Sequence, residues 1–307
     1  MKRTTSVVAL LAASILGLTA CGGGSDPLAS DTSSASGSSD SGGGSIVVGG
    51  ADFSESTLLA EIYAGALQAK GINATTKLNI GSREVYLRAL QDNSIQVFPE
   101  YTGALVLNYD KTYDGTDPDE VYKKAQEVIP ADFALLDKSA AEDNDSINVT
   151  KETADKYSLS TIGDLKDVAG DLTLAAPPEF KERPQGIPGL ESKYGVTFGK
   201  FRPLSGQAVV QALKNGQAQA ANIYSTDPAI AENGFVTLED TEKLFGSQNI
   251  VPLVRADRAD EVKETLNAVS AKLTTEAIAD MLKQTDIDKK DPKEVAQQFL
   301  ADNGLGG

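Results

Sequence analysis

Two tyrosines stand where apolar runs give out: Tyr101 in QVFPEYTGALVL (residues 96–107) and Tyr224 in ANIYSTDPAI (residues 221–230). They lie 123 positions apart, and each is followed by a hydroxyl residue, Thr102 or Ser225. In open α/β sheets ligands sit beyond the carboxyl ends of the strands, so rings at such positions are placed to meet one. The rest of the chemical menu is short. The 307 residues contain no histidine, which removes Ser-His-Asp and Cys-His catalysis and His-liganded zinc. The single cysteine, Cys21, allows no disulfide within the chain. No G-x-S-x-G, S-x-x-K, P-loop or EF-hand loop is found. Scattered among 44 Asp and Glu, Asp145, Glu100 and Asp227 are the only acids that could be nominated for a cleft. Binding without a metal or cofactor is therefore expected ahead of catalysis.

Elements that would carry these residues repeat. A shift of 123 positions lays Ser82–Asn93 over Ser205–Gly216 and runs on without a gap, matching Ser82, Ala89, Leu90, Gln96 and Tyr101 with Ser205, Ala212, Leu213, Gln219 and Tyr224. IVVGGADF (46–53) and LTLAAPPEF (172–180) open the two copies, each a short apolar run ending in a turn and a Phe. TTKLNI (75–80) and VTFGKF (196–201) supply one more extended stretch apiece. Each copy thus reads strand, helical or irregular segment, strand, helix, strand, the alternation of a parallel α/β sheet with right-handed crossovers. Ser54 is the expected N-cap of the first helix, Gly81-Ser82 and Ser205-Gly206 open the matching pair, and Asp227-Pro228 starts another. The tail adds NIVPLVRAD (249–257) as a strand and then helical sequence from Glu261 to about Leu300. The expected architecture is two α/β lobes: residues 46–142 with 250–307, and residues 143–249. Two crossings join them, near 137–149 and 246–252, and a ligand cleft lies between them.

The N-terminus gives an address. Lys2 and Arg3 precede an apolar stretch from Val7 to Leu18, too short to span a bilayer, and Leu18-Thr19-Ala20-Cys21 resembles a lipobox. That resemblance implies removal of residues 1–20 and acylation of Cys21, enough for stable anchoring. Residues 21–45, nearly all Gly, Ser, Asp, Ala and Thr, read as a flexible tether. The formal charge of −16, about −18 after the signal is removed, argues against nucleic acid as a partner.

IVVGGADFSES, GSREVYLRALQDNSIQVFPEYTG, PPEFKERPQGIPGLESKYGVTF and ANIYSTDPAI resemble, in order and spacing, the solute-binding proteins of glycine betaine, carnitine and choline ABC transporters. The resemblance covers residues 46–305 and implies the type II periplasmic-binding fold, a monomer outside the cytoplasmic membrane, and delivery of solute to a permease and its ATPase subunit. It also implies roles. Tyr101 and Tyr224 match cage tyrosines whose π faces hold a quaternary ammonium, and Arg183 matches the carboxylate-binding arginine.

The chain departs from the family pattern at Ala51, Ser56 and Ala104, and Asp145, Gln248 and Asn249 stand where further aromatics are usual. Asp145 would bring negative charge to the cation, Gln248 or Asn249 would hydrogen-bond polar substituents, and Arg83 would supplement Arg183. Ser56 and Thr102 complete the candidate set. The expected guest is a small zwitterionic or cationic solute, including ones with N–H or hydroxyl groups. An amino acid or aromatic metabolite on the same fold, or an exported enzyme, are the alternatives.

Overall fold

Short runs rich in Val, Ile and Ala become strands wherever alternate residues can be buried on opposite faces of a sheet. The computed structural model describes residues 44–306; the expected signal peptide, Cys21 and all but the end of the tether lie outside the described residues. Ten strands form among the described residues: β1 (Ile46–Gly49), β2 (Ala74–Lys77), β3 (Val97–Tyr101), β4 (Phe133–Leu135), β5 (Ile147–Val149), β6 (Thr173–Ala176), β7 (Lys200–Pro203), β8 (Ala220–Asn222), β9 (Val236–Thr237) and β10 (Ile250–Arg255). They make two five-stranded sheets, ordered β2-β1-β3-β10-β4 and β7-β6-β8-β5-β9. Alternation is clean in both. Ile46 and Val48 face one core while Val47 packs on the other, and Leu174 and Ala176 face one core while Ala175 faces the other.

The sheets are mixed rather than parallel throughout. Three strands of each are parallel, and β10 and β5 run antiparallel to their neighbours. β5 is the first strand after the chain crosses to the second sheet and β10 the first after it returns, so each enters its sheet from the other one. The chain leaves the first sheet after Leu135, enters the second at Ile147, leaves it after Thr237 and returns at Ile250. The two connecting segments pair with each other: a bridge joins Glu142 to Asn249, the Asp143 N–H donates to the Gln248 carbonyl, and the Ile250 N–H donates to that of Ala141.

The repeat is visible in side chains as well as in strand order. In the first lobe the Gln96 side-chain oxygen accepts from the Val47 N–H at 2.7 Å; in the second, that of Gln219 accepts from the Thr173 N–H at 3.1 Å. Each glutamine stitches the third strand of its copy to the first.

Helices show where the copies diverge. α1 (Ser54–Ala69) has sixteen residues and buries Leu58, Leu59, Ile62, Tyr63, Ala66 and Leu67. Its core also takes Val262, Leu266, Phe299 and Leu300 from the C-terminal helices. The position before Ser54 is the N-cap, and Ser54 itself is helical. The equivalent segment of the second copy contains Pro177, Pro178, Pro184 and Pro188 and forms only short helical turns, as expected where the missing N–H and the clash of the ring interrupt a helix. α2 (Arg83–Gln91) and α3 (Thr102–Tyr109) follow β2 and β3. The C-terminal helical stretch is built of three α-helices, Ala259–Ser270, Thr275–Leu282 and Pro292–Asp302. VTFGKF contributes only its last two residues to β7.

Pro99 and Glu100, which look like turn formers in the sequence, lie inside β3, with Pro99 opposite Pro252 of β10. β1 pairs with β3 only at Val48 and Val97, so the missing N–H of Pro99 takes no bond from that ladder. β3 therefore continues to Tyr101, and α3 starts at the next residue.

Candidate functional site

Both sheets end their parallel strands at one cleft. Ala51, Phe53, Arg83, Tyr86, Tyr101, Ala104, Asp143, Asp145, Arg183, Gln185, Tyr224 and Gln248 are among the residues that line it, and it encloses about 70 Å³.

Three rings form one wall. Phe53, on the turn after β1, lies with its centroid 6.3 Å from that of Tyr101 and 5.3 Å from that of Tyr224, tilted by 37° and 38°. Tyr101 ends β3 and Tyr224 follows β8, so both lobes contribute. A second aromatic pair, Tyr86 and Phe98, is stacked at 3.6 Å and also reaches the cleft.

Charge is arranged in pairs. Arg83, only 7% exposed, donates through Nε to Glu100 Oε1 at 2.7 Å, and the Tyr86 hydroxyl donates to the other Glu100 oxygen. Burial works against charge on Arg83, but Glu100 holds its guanidinium pKa above the ordinary value. Arg83 lines the cleft with Nε committed to Glu100. Arg183 is freer: its contacts are through Nη2, to Glu84 at 3.5 Å and Glu179 at 3.7 Å. The first of these joins the lobes. Half-buried Asp145 accepts from Asn222 Nδ2 at 3.0 Å; burial raises its pKa, while Asn222, Arg183 and Arg83 oppose the rise.

Other candidates are engaged elsewhere. Ser56 Oγ accepts from the Ala51 N–H at 2.8 Å, fixing the turn that carries Phe53. Thr102 Oγ1 accepts from the Asn249 N–H, and the Asn249 side chain donates to the Ser139 carbonyl. Ser56, Thr102 and Asn249 do not line the cleft. Gln248 does, but its oxygen accepts from the Ala104 N–H at 2.9 Å and its nitrogen donates to the Phe245 carbonyl, so it braces the start of α3. Gly103 permits this close approach: a Cβ there would sit 2.4 Å from the Ser247 carbonyl oxygen.

Some residues in the cleft or just behind it escape sequence reasoning. Phe53 stands in the repeat opposite Phe180, but Phe180 is buried in the core of the second lobe, so symmetry gives no hint of a cleft role. Glu55 and Asp143 are fully buried acids with nothing to mark them among the rest. Glu55 Oε1 accepts from the Tyr101 hydroxyl at 2.6 Å, and Oε2 lies 2.6 Å from Thr226 Oγ1. Thr226 Oγ1 is also 2.9 Å from Asp143 Oδ1. Burial raises the pKa of both acids, that of Glu55 to about 7. No cluster of three metal-ligating side chains occurs among the described residues.

Residues 44–302 match the family described as the substrate binding domain of the ABC-type glycine betaine transport system. The glycine-betaine-binding protein of Pseudomonas aeruginosa is 26% identical over 274 residues, covering 84% of this chain and 88% of that one. The carnitine transport binding protein OpuCC of Listeria monocytogenes is 26% identical over 264 residues, covering 83% and 86%. A crystal structure described as a glycine betaine/carnitine/choline ABC transporter aligns with a TM-score of 0.67 at 25% identity, over 85% of this chain and 99% of that one. The architecture is the type II periplasmic-binding-protein fold.

Proposed function

Because the chain belongs to the family of substrate-binding domains of ABC-type glycine betaine transport systems, we propose that it captures a small zwitterionic or quaternary-amine solute of the glycine betaine, choline or carnitine kind. Capture takes place between the lobes, outside the cytoplasmic membrane, and the solute passes to a permease driven by an ATPase subunit. Acylation of Cys21 would keep the receptor at that membrane. The observation that carries the reading is the wall formed by Phe53, Tyr101 and Tyr224, with Arg183 lining the same cleft. A quaternary ammonium has no N–H to donate, so π faces and carboxylates must hold it; each ring contributes about 0.5–2 kcal/mol. The guanidinium of Arg183 suits the carboxylate of a zwitterion. Phe53 supplies an aromatic surface that the family pattern places elsewhere.

Asp145 favours a second reading, a guest with N–H or hydroxyl donors. One of its oxygens is held by Asn222, and the residue lines the cleft beside Arg183. A calorimetric panel of glycine betaine, choline, carnitine, proline, ectoine and amino acids separates the two. The trimethylammonium solutes are expected to bind, and Tyr101→Ala and Tyr224→Ala each to weaken binding by about three- to thirtyfold, the loss of one ring. Unchanged affinity in both variants would remove the cage from the mechanism.

A further inference from the structure

The hydroxyl of Thr226 has one proton and stands between two carboxyl groups, 2.6 Å from Glu55 and 2.9 Å from Asp143. If both acids were ionised, it could donate to only one, and its lone pairs would face the other oxygen at contact distance. One acid must therefore carry a proton. Their partners decide which. Asp143 Oδ1 also lies within reach of the Thr226 N–H at 3.2 Å and the Ser225 hydroxyl at 3.3 Å, donors that favour its ionised form. Glu55 receives the Tyr101 hydroxyl besides, and its carboxyl group and that of Asp143 are within hydrogen-bonding reach of each other, so the two share the proton's site. With the proton on Glu55 Oε2 every bond has a direction: Tyr101 donates to Glu55, Glu55 to Thr226, and Thr226 to Asp143.

This chain of bonds crosses the cleft. Glu55 and Tyr101 belong to α1 and β3 of the first lobe, Thr226 follows β8 of the second, and Asp143 lies on a connecting segment. Other charges facing it are acidic: Asp227 bears on Glu55, Asp145 on Asp143, and Asp286 on Asp227. Arg83 and Arg183 bear on Asp145.

Building on the capture reading, we propose that Glu55 and Asp143 are positioning residues that link closure to a proton: when the lobes close on a solute the pair takes one up, and the protonated Glu55 fixes Tyr101 against the guest. When the lobes part, Glu55 meets water and returns to an ordinary glutamic acid, which is ionised at neutral pH. With the bonds across the cleft made, burial raises the acid's pKa to about 7, so the linkage favours that arrangement at low pH. The advantage is complete below the pKa of the open form and lost as pH rises towards that of the closed form. Solute affinity should then fall by roughly five- to tenfold between pH 6 and pH 7.5 and level off above.

Glycine betaine and choline are suitable probes, since neither titrates in this range. Calorimetric titration at pH 6 in two buffers of different ionisation heat should show nearly one proton taken up per solute bound, and close to none at pH 8. Glu55→Gln offers Tyr101 an oxygen and Thr226 an amide donor without needing a proton; it should abolish the uptake and flatten the dependence of Kd on pH. Asp143→Asn should do the same by removing the second charge. Tight binding by the parent without proton uptake, or equal uptake in Glu55→Gln, would overturn the proposal. If no solute in the panel binds, the capture reading fails, and small-angle scattering of the solute-free protein tests the link independently. The parent should be more compact at pH 6 than at pH 8 and Glu55→Gln indifferent to pH; a parent equally compact at both would refute it.

Discussion

At the scale of single residues, the two arginines show how far type and motif carry. Both were visible in the sequence as cations near the cleft, but only the structure matches Arg83 to a buried Glu100 and leaves Arg183 facing partners at 3.5 Å and 3.7 Å. The difference has a consequence for selectivity. A hydrogen bond to a charged group contributes about 1.5–3 kcal/mol, so Arg183→Ala should weaken glycine betaine and carnitine by roughly 10- to 100-fold. Choline has no carboxylate and should change by less than about threefold. Equal losses for all three, measured by calorimetry, would mean that Arg183 acts only by joining the lobes through Glu84. Tyr101 and Tyr224 were legible because the repeat placed both at strand ends. Phe53 was not, because its role depends on a turn fixed by Ser56, a hydrogen bond five residues long that no periodicity encodes. Glu55 and Asp143 were illegible for a different reason: an acid's pairing is a tertiary fact, and 44 candidates give it no contrast.

At the scale of elements, the apolar runs marked the inner parallel strands β1, β3, β6 and β8, since a residue buried on either face leaves a continuous run. What the pattern did not show was direction. β5 and β10 enter from the opposite lobe, so their antiparallel pairing is a property of the connections and not of their own residues. Likewise the long helical tail breaks at Ala271–Thr274 and Asp288–Asp291, where turns outweigh helix propensity. The duplicated glutamines offer a test of what the elements need. Gln96 is buried, accepts from the Val47 N–H and donates to Asn93. Gln96→Ala leaves the Val47 N–H without that acceptor between two strands and should lower stability by about 1–3 kcal/mol in urea. Solute affinity should stay within about twofold, because Gln96 lies away from the cleft lining. An undiminished urea midpoint would show that β1 and β3 are held without this stitch.

At the scale of the whole described body, each lobe has its own apolar clusters on both faces of its own sheet. Between the lobes Phe53 lies against Tyr224, and polar contacts add the Glu55, Thr226 and Asp143 chain, Arg183 with Glu84, and Gln207 with Asp286 at 3.5 Å. Two covalent crossings, one ring pair and a few polar bonds couple two cores only loosely, so a solute that touches both lobes adds most of the coupling. Scanning calorimetry should therefore show solute-free unfolding as broader than a two-state transition, with the calorimetric enthalpy exceeding the van't Hoff value. Solute at 100 times its Kd adds about 2.7 kcal/mol to the bound form. For a body of this size that corresponds to a rise of about 5–10 °C in the midpoint, and the transition should sharpen as the lobes are forced to unfold together. Tyr224→Ala, held at the same solute concentration, should recover part of the breadth and lose part of the shift. A solute-free transition already as sharp as the bound one would mean that the lobes are welded without a guest, and that closure is not what the solute brings about.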